Sequence, residues 1–170
     1  PYMRRMHLAK TLGIRESKIR VLYTYVGGGF GGKLTMCEPD FQAALLSKAT
    51  GCPVKIAYTR EEVFACTMQR HPMVLQLKTG VKKDGALIAT QCKIIADGGA
   101  YANTGPTVMY QAGAFLVTVY RLSNVSYEGY RMYTNKPIRG PQRGHGAVQP
   151  RFAFDSQLDM IAEDLRMDPM

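Results

Sequence analysis

The chain has 170 residues, 46% hydrophobic and 21% charged, which suits one globular domain or two small lobes with a real core. No run approaches about 18 apolar residues, which excludes a membrane-spanning helix, and "PYMRRMHLAK" lacks the apolar stretch of a signal peptide. The net charge of +9 admits nucleic acid, a phosphate-bearing cofactor or an acidic partner, but the basic residues are dispersed and accompany no nucleic-acid-binding module.

Cys37, Cys52, Cys66 and Cys92 stand singly, without a C-x-x-C pair. That spacing supports neither a zinc site nor an iron–sulfur cluster held by this chain, and reduced thiols in a cytoplasmic protein are expected. Both ends read as cut from a longer polypeptide. The whole of 1–170 is taken as a single segment of one domain.

In chain order, residues 6–16 carry a helical pattern closed by Gly13. "KIRVLYTYV" alternates and is rich in β-branched and aromatic residues, which predicts a strand running into a glycine loop. "EPDFQAALLSKATG" predicts a helix, with acidic residues and Pro39 in its first turn and Gly51 past its end. "PVKIAYT" reads as a second strand and "REEVFACTM" as a short helix. Alternation on both sides of Asp84-Gly85 predicts a β-hairpin between Met73 and Ala100. "TVMYQAGAFLVTVY" is open between a helix and a buried strand. "NVSYEGYRMYT" alternates again, "NKPIRGPQRGHG" is a loop, and a last helix places Phe154, Leu158, Ile161 and Leu165 on one face. The sum is an α+β chain with a mixed sheet and packed helices.

The densest signal is "VGGGFGGK", residues 26–33. Glycine takes positive φ without steric cost and lets a ligand approach peptide N–H groups, so the run reads as a cradle for a phosphate or cofactor, or else as a strand-to-helix turn. Gly27, Gly32 and Lys33 satisfy G-x-x-x-x-G-K, but Leu34 stands where a P-loop needs Ser or Thr for magnesium. Gly27, Gly29 and Gly32 satisfy G-x-G-x-x-G, but no acid follows at ribose distance.

With "RHPM", "KTGVKKDG", "DGGAY", "YTNKP" and "RGHG" following in order, the chain resembles the molybdopterin-binding domain of the xanthine dehydrogenase and aldehyde oxidase family, the molybdenum hydroxylases. The resemblance implies that Gly28, Gly29, Phe30 and Gly31 contact the pterin cofactor through their backbone, and that the Phe30 ring walls the pocket. It assigns Arg143 and Gly144 to a second cofactor-facing loop. It places Leu34, Gln111 and His145 at the substrate, His145 standing where an aromatic residue is common. It further implies a molybdenum cofactor in its cytosine dinucleotide form, and iron–sulfur clusters and FAD on partner domains or subunits.

Purine-oxidising members of the family have a Glu at the position of Leu34 and an Arg at the position Gln111 takes in an ungapped lineup. Xanthine is therefore disfavoured, and an N-heterocycle, an aldehyde or an aromatic thioester is expected. Carbon monoxide chemistry needs a copper-holding Cys that "QRGHG" lacks. The family's general-base Glu sits in a downstream G-x-G-E segment not present here, and Glu61, Glu62 and Glu163 lie on predicted helices facing solvent. No catalytic residue and no metal ligand is expected in this chain, and on its own it is expected to be inactive. The competing readings are a non-catalytic nucleotide- or phosphate-binding module and a chain that is inert in isolation.

Overall fold

The computed structural model describes residues 1–35 and 37–169. It divides into two compact units, Pro1–Thr67 and Met68–Met170, each described by itself.

The first unit is helical. Helix α1 (Tyr2–Leu12) ends on Gly13, whose φ of 65° gives the left-handed turn that closes the last carbonyls. It begins before the apolar periodicity becomes legible in the sequence, and Ala9 is its one buried residue. Helix α2 (Glu38–Thr50) starts with a capping box between Cys37 and Asp40, has Pro39 in its first turn, and closes on Gly51 at φ 69°. Asp40 also accepts from Arg4 Nε at 3.1 Å, and Lys48 Nζ donates to the Leu12 carbonyl at 2.8 Å, so both ends of α2 are tied to α1 or its connection. Helix α3 (Arg60–Cys66) is capped by Thr59 and Glu62 in reciprocal bonds of 3.3 and 2.7 Å.

The second unit carries the sheet. Strands β1 (Met73–Val81) and β2 (Leu87–Asp97) pair antiparallel, turning at Asp84-Gly85, where Gly85 has φ 85°. Helix α4 (Gly105–Leu116) then crosses over, and β3 (Asn124–Met132) pairs parallel to β2. The order β1-β2-β3 puts β2 in the centre of a mixed sheet. Its inward residues Cys92, Ile94 and Ala96 are fully buried against Met109, Ala112 and Leu116 of α4 and Phe154 of α5 (Val148–Leu165). Tyr120 packs edge-on to Phe154 at 5.1 Å. The other face carries Val74, Ile95 and Tyr130 in one cross-strand row, exposed.

The ambiguous segment is thus a helix, and burial explains it. Val108, Met109, Ala112 and Leu116 are buried at helical spacing, a stripe that a strand would split between two faces. The two expected strands at 18–26 and 53–59 are not in the sheet. Residues 54–58 keep the alternation, with Val54, Ile56 and Tyr58 half-buried and Lys55 and Ala57 exposed. Alternation fits a backbone for a ladder, but the ladder needs a second strand, and among the described residues neither segment has one.

Candidate functional site

In the first unit the glycine run forms a turn that closes with Leu34 N–H on the Gly31 carbonyl at 3.1 Å. Positive φ occurs at Gly28 (134°), Phe30 (48°) and Gly31 (99°). A left-handed phenylalanine is uncommon and carries strain of about 1–3 kcal/mol that the fold must hold. Its ring lies over Gly28, where an added Cβ would come within 2.5 Å of Phe30 Cε2. Glycine at 28 is favoured by φ, and a Cβ there would also oblige the exposed Phe30 ring to move.

Gly27 and Gly29 differ from these. Neither has positive φ, a Cβ on Gly27 would meet nothing within 4 Å, and one on Gly29 would meet only Lys33 Cβ at 3.8 Å. The side-chain space at both is open, which suits a flat group laid on the backbone. Leu34 and Phe30 are each 65% exposed on the same loop. Arg4 braces it from below, donating to the Lys33 and Thr35 carbonyls at 3.4 Å while pairing with Asp40. The Cys37 thiol sits beside the loop; burial and then Asp40 push its pKa up, so it is a poor nucleophile.

In the second unit, motifs far apart in sequence make one hydrogen-bonded frame. Asp97 accepts from Thr134 Oγ1 at 2.6 Å, Lys136 Nζ at 2.8 Å and Gly99 N–H at 3.1 Å. The Lys136 and Thr134 bonds hold its carboxyl far below the usual range. Gly98 N–H donates to the Met132 carbonyl and Ala100 N–H to that of Lys136, at 2.8 and 3.1 Å. Arg131 threads through this frame. It donates to the carbonyls of Gly98 and Tyr101 and to His71 Nε2 at 3.2 Å. Glycine at 98 and 105 makes room, since a Cβ would lie 2.4 Å from the guanidinium carbon and 1.9 Å from Nε respectively. His71 is 2% exposed, and burial followed by Arg131 and Arg139 pulls its pKa down to about 4.

This frame carries the second candidate loop. Gln69 and Arg139 form a parallel bridge, Gly140 N–H donates to the Gln69 carbonyl at 3.1 Å, and Gln142 Nε2 to that of Met68 at 3.2 Å. Beyond it Gly144, His145 and Gly146 follow with φ of 92°, 41° and 96°. His145 N–H donates to the Gln142 carbonyl at 2.6 Å and Ala147 N–H to that of Gly144 at 2.8 Å. Gly146 packs against α4 so closely that a Cβ would lie 2.3 Å from the Val108 carbonyl oxygen. Gln111 sits one turn further along α4, half-buried. The structure thus brings Arg143, Gly144 and His145 onto one turn resting on the helix of Gln111, and gathers Gly28 to Gly31 with Leu34 in the other unit. His145 Nε2 is buried without a hydrogen-bond partner among the described residues.

The Arg70 side chain, to which sequence reasoning gave no role, reaches this turn: Nη2 donates to the Arg143 carbonyl at 2.7 Å across 73 residues. "RHPM" marked the position but not the contact. Glu61, Glu62 and Glu163 are exposed on α3 and α5. Among the described residues no group of three or more His, Cys, Asp and Glu could hold a metal ion. A groove of about 660 Å³ across the exposed sheet face is lined by Lys78, Gln91 and Ser126 among others, and by none of the candidate residues. The open space at Gly27 and Gly29 fits a flat organic group laid on the main chain, whereas Gly144 and Gly146 are closed by Val148 and the Val108 carbonyl.

Comparison with known proteins gives the same direction. A family model described as the molybdopterin cofactor-binding domain matches residues 1–170. The nicotinate dehydrogenase large molybdopterin subunit of Eubacterium barkeri is 38% identical over 170 residues, covering 100% of this chain and 40% of that protein. The xanthine dehydrogenase molybdenum-binding subunit of Escherichia coli is 36% identical over 170 residues, 100% of this chain and 23% of that one. Among solved structures, the aldehyde oxidoreductase from Desulfovibrio gigas superposes with a TM-score of 0.92 at 29% identity, over 99% of this chain and 18% of that one. The chain therefore spans less than half the length of each of these proteins.

Proposed function

The chain belongs to the molybdopterin cofactor-binding domain family, and from that premise we propose that it forms part of the catalytic subunit of a molybdenum hydroxylase. The observation that carries the reading is the glycine loop, where Gly27 and Gly29 leave open side-chain space beside three residues of positive φ. In this reading Gly28, Gly29, Phe30 and Gly31 hold the pterin through the main chain, Arg143 and Gly144 hold it from the second loop, and Leu34, Gln111 and His145 face the substrate. When bound, the molybdenum cofactor supplies oxidative hydroxylation of an electron-poor carbon with water as the oxygen source.

This chain's own residues bind and orient. The glycine backbone admits the cofactor at contact distance, and the Phe30 ring screens it from solvent. His145 offers an imidazole for stacking or hydrogen bonding to a substrate ring. The proton-abstracting Glu and the electron-carrying iron–sulfur and FAD units belong to the remainder of the catalytic polypeptide and its partners, so 1–170 alone performs no turnover. The segment acts as one part of a larger cytoplasmic enzyme, and its cofactor is the cytosine dinucleotide form.

Relatives named for nicotinate and xanthine put N-heterocycles within range. Leu34 and Gln111 favour a less polar ring, an aldehyde or an aromatic thioester over xanthine, the thioester being reduced rather than hydroxylated. Metal analysis and pterin fluorescence of the purified full-length enzyme test the assignment. Stoichiometric molybdenum and pterin are expected, and a folded, active enzyme with neither would overturn it.

A further inference from the structure

We propose that Arg70 is a positioning residue for the cofactor-facing turn at 143–146, an inference that rests on the function proposed above. The turn needs an outside brace. Three successive residues have positive φ, one of them the non-glycine His145, and such a run relaxes unless the surroundings over-determine it. Its internal bonds, from His145 to Gln142 and from Ala147 to Gly144, fix its closure. They leave the peptide between Arg143 and Gly144 to be oriented by something else.

Arg70 does this. Nη2 donates to the Arg143 carbonyl at 2.7 Å, a charge-assisted bond to a neutral acceptor. The peptide between Arg143 and Gly144 is trans, as are all among the described residues, so the Gly144 N–H points opposite to the carbonyl, away from Arg70. The guanidinium thereby decides which side of the turn presents that donor. Arg70 is anchored in turn, because neighbouring Gln69 bridges Arg139 and accepts from Gly140.

A second observation shows that the arginine is not simply neutralised by the fold. Nη1 is buried and has no hydrogen-bond partner among the described residues. Other buried side-chain atoms are likewise unpartnered, His145 Nε2 of the same turn among them; under the proposed function a cofactor oxygen would be the acceptor for Nη1. A fork with one tine on the turn and one on the ligand couples the shape of the loop to occupancy.

The test uses the full-length holoenzyme with Arg70→Met and Arg70→Lys, and Lys83→Met in the exposed hairpin turn as a control. Cofactor release is followed by molybdenum analysis and pterin fluorescence of filtrates over time, and each holoenzyme and its cofactor-free form are melted in parallel. Arg70→Met should release cofactor about tenfold faster, the scale of one charged hydrogen bond, and should lower the melting temperature of the holoenzyme by more than that of the cofactor-free form. Arg70→Lys, which keeps one donor for the Arg143 carbonyl but not the fork, should fall between. Release from Arg70→Met at the wild-type rate, a melting temperature lowered equally with and without cofactor, or Arg70→Lys no better than Arg70→Met would each overturn the assignment. A wild-type enzyme without pterin and molybdenum would instead overturn the functional reading, and this inference with it.

Discussion

Gly29 and Gly146 sit in the two candidate loops and answer to different constraints. At Gly146 the backbone itself demands glycine: φ is 96°, and a Cβ would strike the Val108 carbonyl oxygen at 2.3 Å. At Gly29 φ is ordinary and the space is open. A glycine run in sequence suggests left-handed backbone throughout, yet here only Gly28 and Gly31 among its glycines have it, with Phe30 between them. The fold tolerates a side chain at 29; a bound cofactor would not. Gly29→Ala should therefore leave the stability of the cofactor-free protein within about 1 kcal/mol and abolish cofactor retention. Gly146→Ala should cost about 2–4 kcal/mol in urea unfolding. Full molybdenum content in Gly29→Ala would remove the reason for calling the loop a cradle. The sequence made the loop legible but not this division, because φ and Cβ clearance are set by neighbours such as Phe30 and Val108.

At the level of elements, helices and the hairpin were readable because their signals are local. Gly13 and Gly51 end helices, Thr59 and Glu62 cap one, and Asp84-Gly85 turns a hairpin. The segments 18–26 and 53–59 failed as strands because a ladder is a property of two segments. The frame of Asp97, Thr134, Lys136, Arg131 and His71 was equally hidden, since each motif is short and its partners lie 30 or more residues away, as Arg131 and Tyr101 do. That frame has a pH signature. His71 is neutral in the fold with a pKa near 4, below the ordinary 6.5, so the unfolded chain takes up a proton first. Its contribution is complete above pH 6.5 and is lost as pH falls toward 4, about 3 kcal/mol in all. Asp97, held below the usual carboxylate range, loses its contribution only in more acid solution. Urea midpoints measured between pH 7.5 and 4 should decline for the wild type and decline less for His71→Gln. Parallel curves would mean that another group titrates in that window.

At the scale of the whole chain, both units leave large apolar side chains exposed. Leu22, Tyr23, Tyr25 and Phe64 of the first unit and Phe152 of the second are more than 60% exposed. Under the proposed function such side chains would pack against the rest of the catalytic subunit, since the chain covers 18% to 40% of the three relatives named above. Substrate choice belongs to this scale too, because under the proposed function residues outside 1–170 would complete the pocket. In that reading Leu34 and Gln111 would still limit it. Leu34 offers no acceptor for a purine edge, and Gln111 offers no positive charge. A site built to hydrogen-bond a polar group discriminates by about 10⁴ against analogues lacking it, whereas an apolar pocket discriminates far less. The full enzyme should therefore turn over xanthine poorly and favour an aldehyde, a less polar N-heterocycle or an aromatic thioester. The measurement is kcat/KM for xanthine beside a panel of those three classes, repeated with Leu34→Glu and Gln111→Arg combined. The double variant should gain on xanthine relative to the panel. If wild-type xanthine turnover leads the panel, these two positions do not set specificity, and the lineup that put Gln111 in the pocket is the first step to give up.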